Sequence, residues 1–497
     1  MTRSTVLVFG LAAIVAAAAC SKPAGTLDAA VDTLKANDVK AIEYSGTGKW
    51  FQFGQAPNVT LPWPQFDVTA FTAAINYEAP AARVQMTRKQ TVDPARVRPA
   101  PAEQRPDQYV NGSFAWNMAP PAGAPAGASP AAATQPAAVE ERTMEIWSTP
   151  QGFIRAAKAN NATSTAANGG SEVTFTAGKN KYVGTVDAQS HVTRIQTWID
   201  NPVLGDTLVE TTFSDYKDFG GIMFPGHIVR VQGGHPVLDL TVSAAKASTS
   251  VDLSVPESVK SATVPPIVVT STKLADGVYY LTGGTHHSLA IEQRDHVVVV
   301  EGPQNEARSL AVIARVKETI PNKPLKYLIN SHHHFDHSGG LRTWVDEGAI
   351  IVTHQMNKAY YEQAWATQHT LGPDKLASSK KPATFETFSA KYVLADDKRP
   401  VEIHEIVGSG HADGFLMIYL PKQQILAEAD AYTPAAADAP PPPTPNPFSV
   451  NLYENIERLK LDVKQIAGLH GPRMATLDDL RTAIGVEVKK KGGFFRR

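Results

Sequence analysis

A short run of histidines and one aspartate, placed at the end of an apolar strand pattern, constrains this chain more than any other feature. Residues 327–330 have the pattern of a buried strand, and Ser331-His332-His333-His334-Phe335-Asp336-His337 follows directly. In an extended loop alternate side chains point to the same side, so His332, His334 and Asp336 are expected to converge. His337, at the turn into the next helix, is placed to face a neighbouring ion. Imidazole and carboxylate are ligands typical of zinc, although iron or manganese accepts the same set.

Three further residues of ligand type stand at predicted strand ends later in the chain. His411 lies in Gly408-Ser409-Gly410-His411, Asp430 follows the strand pattern of residues 424–429, and His470 lies in Gly468-Leu469-His470-Gly471. Taken singly, His411 or His470 is better explained as a structural histidine than as a metal ligand. The joint pattern is not, because packing gives no reason to place His, His, Asp and His within six residues.

Strand and helix patterns alternate around the histidine run. Val297–Val300 is a continuous β-branched run, typical of a strand buried on both faces. Residues 309–319 have helical spacing, residues 327–330 form a second strand and residues 339–347 a second helix. This alternation predicts α/β layers in the C-terminal part of the chain.

These motifs resemble the H-x-H-x-D-H pattern and the later ligands of the metallo-β-lactamase-fold hydrolases, over residues 268–497. The resemblance implies that this part is an αβ/βα four-layer sandwich, so that the whole chain combines α+β and α/β structure. It assigns His332, His334 and His411 to one metal ion and Asp336, His337 and His470 to another, with Asp430 as the bridging ligand. Two zinc ions per chain are the implied cofactor, with iron or manganese as alternatives.

The implied activity is that of a metallo-hydrolase (EC 3 class). A metal-bound hydroxide, available because the ion lowers the pKa of water from 15.7 to about 7, is expected to attack a small ester, lactone, thioester, sulfate or related substrate. Asp336 is the carboxylate expected to relay the proton. Tyr432 is expected to polarise a substrate carbonyl, the alternative being that it packs in the core.

Asp430 also indicates a branch of the superfamily. True metallo-β-lactamases generally lack a bridging carboxylate at this place, so the resemblance argues against antibiotic hydrolysis as the main activity. Glu301 stands where many members carry Asp, and is expected either to hydrogen-bond to the histidine run or to be a solvated acid. His286 and His287 fall in a hairpin that often lies near the metals, which leaves substrate contact and a structural turn both open.

Two other functions remain open at this point. One is a mononuclear iron sulfur dioxygenase of the same fold, which uses only two histidines and one aspartate at its iron. The other is a non-catalytic lipoprotein, in which the N-terminal half binds a lipid or a protein partner and the metals only stabilise the C-terminal half. Substrate identity and oligomeric state are not predicted.

The chain of 497 residues is long enough for two or three domains, and its first half is predicted to be β-rich. Strand patterns cover residues 42–53, 83–90, 143–147, 208–213 and 238–242, with a hairpin at 182–199. Residues 198–246 resemble the half-barrels of periplasmic lipoprotein carriers. The predicted divisions are a signal peptide at 1–19, a linker with a helix at 20–44, a β-rich domain at 45–252, a linker at 253–267 and the catalytic domain at 268–497.

Two segments of unusual composition interrupt the chain. Residues 119–139, dense in Ala and Pro, are predicted to be a disordered insertion. Residues 434–447 are rich in proline and predicted to be stiff. Residues 434–447 and residues 356–388 are expected to wall the substrate pocket.

The N-terminus predicts export. Residues 6–19 form an apolar run that is too short to cross a bilayer comfortably and fits a secretory signal. Cys20, the only cysteine, follows three alanines in a lipobox-like pattern, so a lipid anchor is expected, with ordinary signal peptidase cleavage as the alternative. The expected location is periplasm-facing and anchored to a bacterial membrane, with Ser21 favouring the outer membrane.

The charge balance excludes one class of partner. Lys and Arg number 47 against 48 Asp and Glu, a net charge of -1. Nucleic-acid binders usually carry a clear basic excess, so the expected partner is a small-molecule substrate and no nucleic acid.

Overall fold

The computed structural model describes residues 24–121, 127–248, 251, 253–436, 440 and 442–488. The predicted signal peptide and Cys20 lie outside the described residues, as do parts of the Ala/Pro insertion and of the proline-rich segment. Within the described ranges, every helix is too short or too polar to span a bilayer.

The chain order of the elements gives the domain plan. The helices are α1 (Leu27–Thr33), α2 (Val139–Trp147), α3 (Pro150–Ala159), α4 (Glu257–Lys260), α5 (Glu306–Thr319), α6 (Phe335–Ser338), α7 (Leu341–Glu347), α8 (Gln355–Trp365), α9 (Lys375–Ser379), α10 (Pro447–Leu459) and α11 (Leu477–Ala483), with a 3-10 turn at Pro136–Ala138. The strands of the first half are β1 (Ala41–Phe51), β2 (Gln65–Asn76), β3 (Ala81–Gln90), β4 (Glu103–Gln104), β5 (Asp107–Asn111), β6 (Phe114–Ala119), β7 (Ala131–Thr134), β8 (Thr163–Ala167), β9 (Gly170–Ala177), β10 (Asn180–Val186), β11 (Val192–Asn201), β12 (Gly205–Ser214), β13 (Lys217–Asp218), β14 (Met223–Phe224), β15 (His227–Gln232) and β16 (His235–Ser248). Those of the second half are β17 (Thr270–Ala275), β18 (Val278–Thr282), β19 (Ser288–Glu292), β20 (Val297–Val300), β21 (Leu325–Ile329), β22 (Ile350–His354), β23 (Phe385–Phe388), β24 (Lys391–Leu394), β25 (Val401–Glu405), β26 (Leu416–Leu420), β27 (Ile425–Glu428), β28 (Gln465–Gly468) and β29 (Ala475–Thr476).

The first half is a large antiparallel sheet that covers three helices. Its strand order is β7-β6-β5-β3-β2-β1-β16-β15-β12-β11-β10-β9-β8, so β7 and β8 stand at opposite edges and the sheet is open. Helices α1, α2 and α3 share one apolar core with strands from both halves of the sheet. Phe153 on α3, for example, packs against Phe175 on β9. The predicted β-rich domain is therefore confirmed.

Two local predictions in this half are wrong. Residues 143–147, predicted as a strand, belong to α2, whose first turn carries Glu140 and Glu141 near the positive end of the helix dipole. Within the predicted disordered insertion 119–139, Ala131–Thr134 pairs with β6 as an edge strand. An edge strand of alanines needs only backbone hydrogen bonds on one side, which composition does not reveal. Residues 122–126 of the insertion lie outside the description.

The second half has four layers. A seven-stranded sheet, β17 to β23, faces a six-stranded sheet, β24 to β29. On β20, Val297 and Val299 point into a core shared with α5 and α7, whereas Val298 and Val300 point into the core between the sheets. Leu452 of α10 and Leu480 of α11 join the core of the second sheet. This helix, sheet, sheet, helix arrangement is the predicted αβ/βα sandwich.

Candidate functional site

The histidine run lies at the carboxyl end of β21. Strands β20, β21 and β22 are parallel neighbours, so the chain leaves β21 at a sheet edge. It stays extended through His334, with φ -56° and ψ 145°, and then forms the single helical turn α6. The change from extended chain to helix directs the side chains before and after Phe335 to different sides, which separates the ligands into two groups.

The ligand atoms form two clusters, within each of which all lie within 4.8 Å of one another. One cluster contains His332, His334, His411 and Asp430, and the other contains His286, Asp336, His337 and His470. His411 comes from the β25–β26 loop, Asp430 follows β27 and His470 follows β28. The structure thus brings all seven residues of the sequence-predicted ligand set to one rim; that they bind metal stays a prediction.

Asp430 lies between the two clusters. Its Oδ2 atom is 3.1 Å from His411 Nε2 and 3.5 Å from His332 Nε2, both in its own cluster. The same oxygen is 3.2 Å from His337 Nε2 in the other cluster. One carboxylate oxygen within reach of both groups is the geometry that a bridging ligand requires.

The donor set fits a pair of divalent cations. His334 Nδ1 is buried and has no hydrogen-bond partner among the described residues. His332 Nε2 and His411 Nε2 are only 3.2 Å apart. Buried nitrogens without partners cost about 1–3 kcal/mol each. Cations ligated by these nitrogens would remove that cost.

The electrostatics favour the ligand forms of most of these side chains. Burial, together with His337, lowers the pKa of His332 to about 3, and burial with the neighbouring imidazoles lowers the pKa of His334 well below its usual value. Burial alone would raise the pKa of Asp430, but His337 and hydrogen bonds from its histidine neighbours bring it well below the ordinary range. Neutral imidazoles and ionised carboxylates are the forms that bind metal.

His337 behaves differently. Burial opposes its protonation, but Asp430 and Glu301 raise its pKa well above the usual value. A proton on His337 therefore balances the carboxylates when no cation does, and metal binding would displace that proton.

The Glu301 side chain contacts residues at both ends of the histidine run. Its side chain is fully buried, which excludes the solvated alternative. Its carboxylate accepts hydrogen bonds from the Ser331 hydroxyl and from Asn330 Nδ2, and lies 3.2 Å from His337 Nδ1. A carboxylate on the far nitrogen of a ligand imidazole fixes the orientation of the ring.

His286 belongs to the site more closely than the sequence indicates. Its Nε2 lies 3.2 Å from Asp336 Oδ2, and its backbone pairs with that of His470. His287 instead donates from Nε2 to the Gly471 carbonyl, 2.7 Å away, and so supports the His470 loop. The glycines before His286 signal a turn but not which of the two histidines faces inwards.

Tyr432 is a buried residue in the core of the second half. The backbone amides of Ala431 and Tyr432 both donate to Glu428 Oε2 at 3.0 Å, which stabilises a turn at this point. The Tyr432 side chain packs in the core. The side chain is 4% exposed, and burial raises its pKa to about 12. The structure therefore favours core packing for Tyr432.

A cleft of about 280 Å³ opens beside His334 and His411. Its walls come from the β-rich domain and the start of α10: Gln52, Gln55, Pro64, Gln90, residues 98–102 and Phe448. None of residues 356–388, expected to wall the pocket, lines this cleft. The sequence offers no local signal for walls that come from a distant domain.

Comparisons with known proteins give a match to one family and to solved structures. Residues 276–464 match the family model of the metallo-beta-lactamase superfamily. Among solved structures the chain is similar to a metallo-beta-lactamase from Pontibacter korlensis, with 18% identity over 44% of this chain and 98% of that one and a TM-score of 0.34. It is also similar to the metallo-beta-lactamase FIM-1 from Pseudomonas aeruginosa in its mono-zinc form, with 18% identity, 45% and 96% coverage and a TM-score of 0.33. No curated protein gives a match. Residues 276–464 of this chain are therefore a domain of the metallo-beta-lactamase superfamily.

Proposed function

We propose that this protein is a dinuclear metal hydrolase that acts on a small ester, lactone, thioester, sulfate or related substrate. The observation that carries the proposal is the position of Asp430 Oδ2, at 3.1 Å from His411 and 3.2 Å from His337. These histidines belong to different clusters, so a single carboxylate oxygen reaches both. Two ions held side by side would share it.

When bound, zinc-type ions would polarise the scissile group and lower the pKa of a water molecule to about 7. The chain's own residues hold the charges and protons around them. Asp430 and Asp336 supply the negative charge that retains two cations. The Asp336 side chain is 33% exposed and the Asp430 side chain 14%. Because Asp336 is the more exposed of the two carboxylates, it is the group proposed to relay the proton.

Zinc is the proposed metal, because five histidines and two carboxylates make up the predicted ligand set. Iron and manganese remain alternatives. The iron dioxygenase alternative needs only two histidines and one aspartate, which leaves four of the seven predicted ligands without a role. The paired clusters support a hydrolase over that alternative.

The non-catalytic alternative rests on ligand binding by the β-rich domain. That domain contains a cavity of about 130 Å³ between the sheet and α2, lined by apolar side chains and by Glu141, Glu145 and Arg230. This alternative leaves the open arrangement of the seven candidate ligands without a chemical role, so the hydrolase is favoured.

We further propose that the mature protein is exported, faces the periplasm and is anchored through a lipid on Cys20. The support is the apolar run before Cys20 and the absence of any other cysteine. A Cys20→Ser variant that still partitions into the membrane fraction would argue against the anchor.

A substrate panel on the zinc-loaded protein tests the function. His332→Ala is expected to reduce hydrolysis of the best substrate by at least about a hundredfold, because it removes a ligand of one ion. His296→Gln, which changes a buried histidine at the start of β20, is the matched control and should keep its activity. Equal activity in His332→Ala and the control would refute the proposal.

A further inference from the structure

A loop of the β-rich domain contacts four consecutive residues of the histidine run. The Gly54 carbonyl accepts from the Phe335 amide at 3.1 Å. The Ala56 carbonyl accepts from His333 Nε2 at 2.7 Å and from His334 Nε2 at 3.0 Å. Gln55 Nε2 donates to Asp336 Oδ1 at 2.8 Å. Two of the predicted metal ligands, Asp336 and His334, are thus held by residues that precede them by 281 and 278 positions.

The fit between this loop and the run is close. Gly54 has φ +77°, and a Cβ there would lie 2.7 Å from the Phe335 ring. The Phe335 ring meets Phe53 and Trp63 edge to face, with centroids 5.3 and 5.7 Å apart. The loop is therefore packed against the run through backbone, amide and aromatic contacts together.

A second loop of the same domain holds the segment that carries His411. Arg98 donates from Nε to the Gly410 carbonyl at 2.7 Å and from Nη2 to the His411 carbonyl at 2.9 Å. Arg96 pairs with Asp413 at 2.8 Å. A Cβ on Gly410 would lie 1.9 Å from the Val97 carbonyl, so only glycine allows this approach.

We propose that the β-rich domain forms part of the active site, with Gln55 as a positioning residue for Asp336 and the two loops as one wall of the substrate cleft. Gln55 holds Oδ1 of Asp336, which leaves Oδ2 facing His286 at 3.2 Å, His337 at 3.6 Å and His470 at 3.8 Å. A carboxylate fixed in this rotation offers one oxygen to the second cluster. The inference rests on the proposed metal site.

The residues of the cleft wall also indicate the charge and polarity of the substrate. Besides the candidate ligands, the residues that line it offer the amides of Gln52, Gln55 and Gln90, the guanidinium of Arg98, several prolines and Phe448. No carboxylate of the described residues lines this wall. The chemistry fits a small neutral or anionic substrate with an apolar face, and disfavours a cationic one.

Zinc affinity tests the role of Gln55 without relying on activity. The full-length protein, loaded with two zinc ions, is titrated with a chromogenic chelator and the release of each ion is followed. Gln55→Ala and the volume-matched Gln55→Met should both bind one of the two ions about tenfold more weakly, because the hydrogen bond to Asp336 is lost in each. Gln52→Met, on the same wall but without a side-chain bond to a predicted ligand, should release zinc as the wild type does.

The outcomes separate the possible roles. If Gln55→Met keeps wild-type affinity while Gln55→Ala loses it, the side chain only fills space and the proposal is overturned. Wild-type affinity in both Gln55 variants overturns it as well. A wild-type protein that binds no zinc overturns the proposed function together with this inference, whereas two tightly bound ions with unaffected Gln55 variants overturn the inference alone.

Discussion

Glu301 combines a left-handed backbone conformation with a buried carboxylate beside the histidine run. It follows β20 with φ +73°, a left-handed conformation that few residues other than glycine adopt. Its buried carboxylate faces Ser331, Asn330 and His337. Strained backbone of this kind persists where surrounding contacts hold it, and it is frequent at functional sites.

We predict that Glu301→Gln lowers zinc affinity about tenfold while the fold is kept, since the amide has the same size but loses the charge that orients His337. Chelator competition measures the affinity, and circular dichroism checks the fold. Glu292→Gln, on the neighbouring strand β19 and paired with the partly buried Lys323, is the control. Unchanged zinc affinity in Glu301→Gln would mean that its contact with His337 has no part in holding the metal.

At this scale the sequence predicted the residues that lie close together or at recognisable strand ends. His332 to His337 form one run, and Asp430 follows a strand of apolar residues. Gln55 could not be predicted, because 281 positions separate it from Asp336 and an isolated glutamine carries no pattern. The core packing of Tyr432 could not be predicted, because its distance of two residues from Asp430 does not reveal the turn that Glu428 stabilises.

At the scale of elements, a buried ion pair joins α7 to α9. Arg342, 5% exposed in its side chain, bonds through its guanidinium to Asp374, which also caps α9 by accepting from the Ala377 amide at 2.7 Å. Burial opposes ionisation of Asp374, but the hydrogen bonds from Arg342 and Ala377 lower its pKa below the usual value. The Asp374 carboxylate therefore stabilises the fold at pH values at which it is ionised.

We predict that Asp374→Asn lowers the free energy of unfolding by about 3 kcal/mol at pH 7, because it leaves Arg342 buried without its charge partner while an Asn can still cap the helix. A carboxyl group whose pKa is lower in the folded than in the unfolded protein stabilises the fold fully at pH values above its unfolded pKa of about 3.9. This stabilisation is lost as the pH falls through the folded pKa. The difference between wild type and variant should thus shrink below about pH 4.

Urea unfolding at pH 7 and at pH 3.5 measures this difference. Asp478→Asn is the matched control, because its pair with Arg481 is 62% exposed on the aspartate side and should contribute less than about 1 kcal/mol. A difference between wild type and Asp374→Asn that stays constant with pH would contradict the account.

Elements with strong periodicity were predictable and those that depend on tertiary context were not. The valine run of β20 and the hairpin of β10 and β11 follow from local pattern alone. Residues 143–147 contain Thr, Ile and Trp, which favour strand, yet packing of Met144 and Ile146 under the sheet stabilises a helix there. The pairing of β7 with β6 depends on a neighbouring edge, which composition cannot show.

At the scale of the whole molecule, the site lies where two domains meet. The carbonyls of Gly54 and Ala56 and the side chains of Gln55, Arg96 and Arg98 reach segments that carry predicted ligands. Ligand binding to the native state stabilises everything that unfolds with it. Metal binding in the C-terminal domain should therefore also stabilise the part of the β-rich domain that contacts it.

We predict that zinc slows amide hydrogen exchange in residues 52–58 of the β-rich domain, because their carbonyls and Gln55 hold His334 and Asp336. Mass spectrometry of peptides from the protein with and without zinc measures the exchange. Residues 163–177, in the hairpin of β8 and β9 at the sheet edge, serve as the internal control and should change little. Slowing confined to residues 268–488 would show that the domains meet without coupling.

Elemental analysis of the purified protein beside an Asp430→Ala variant tests the proposed pair of metal ions bridged by Asp430 most directly. About two zinc ions per chain are expected in the wild type, falling towards one in the variant because Asp430 is shared by both clusters. One iron per chain, unaffected by the loss of Asp430, would contradict the account and point to the iron-dependent sulfur oxygenation that the same fold supports.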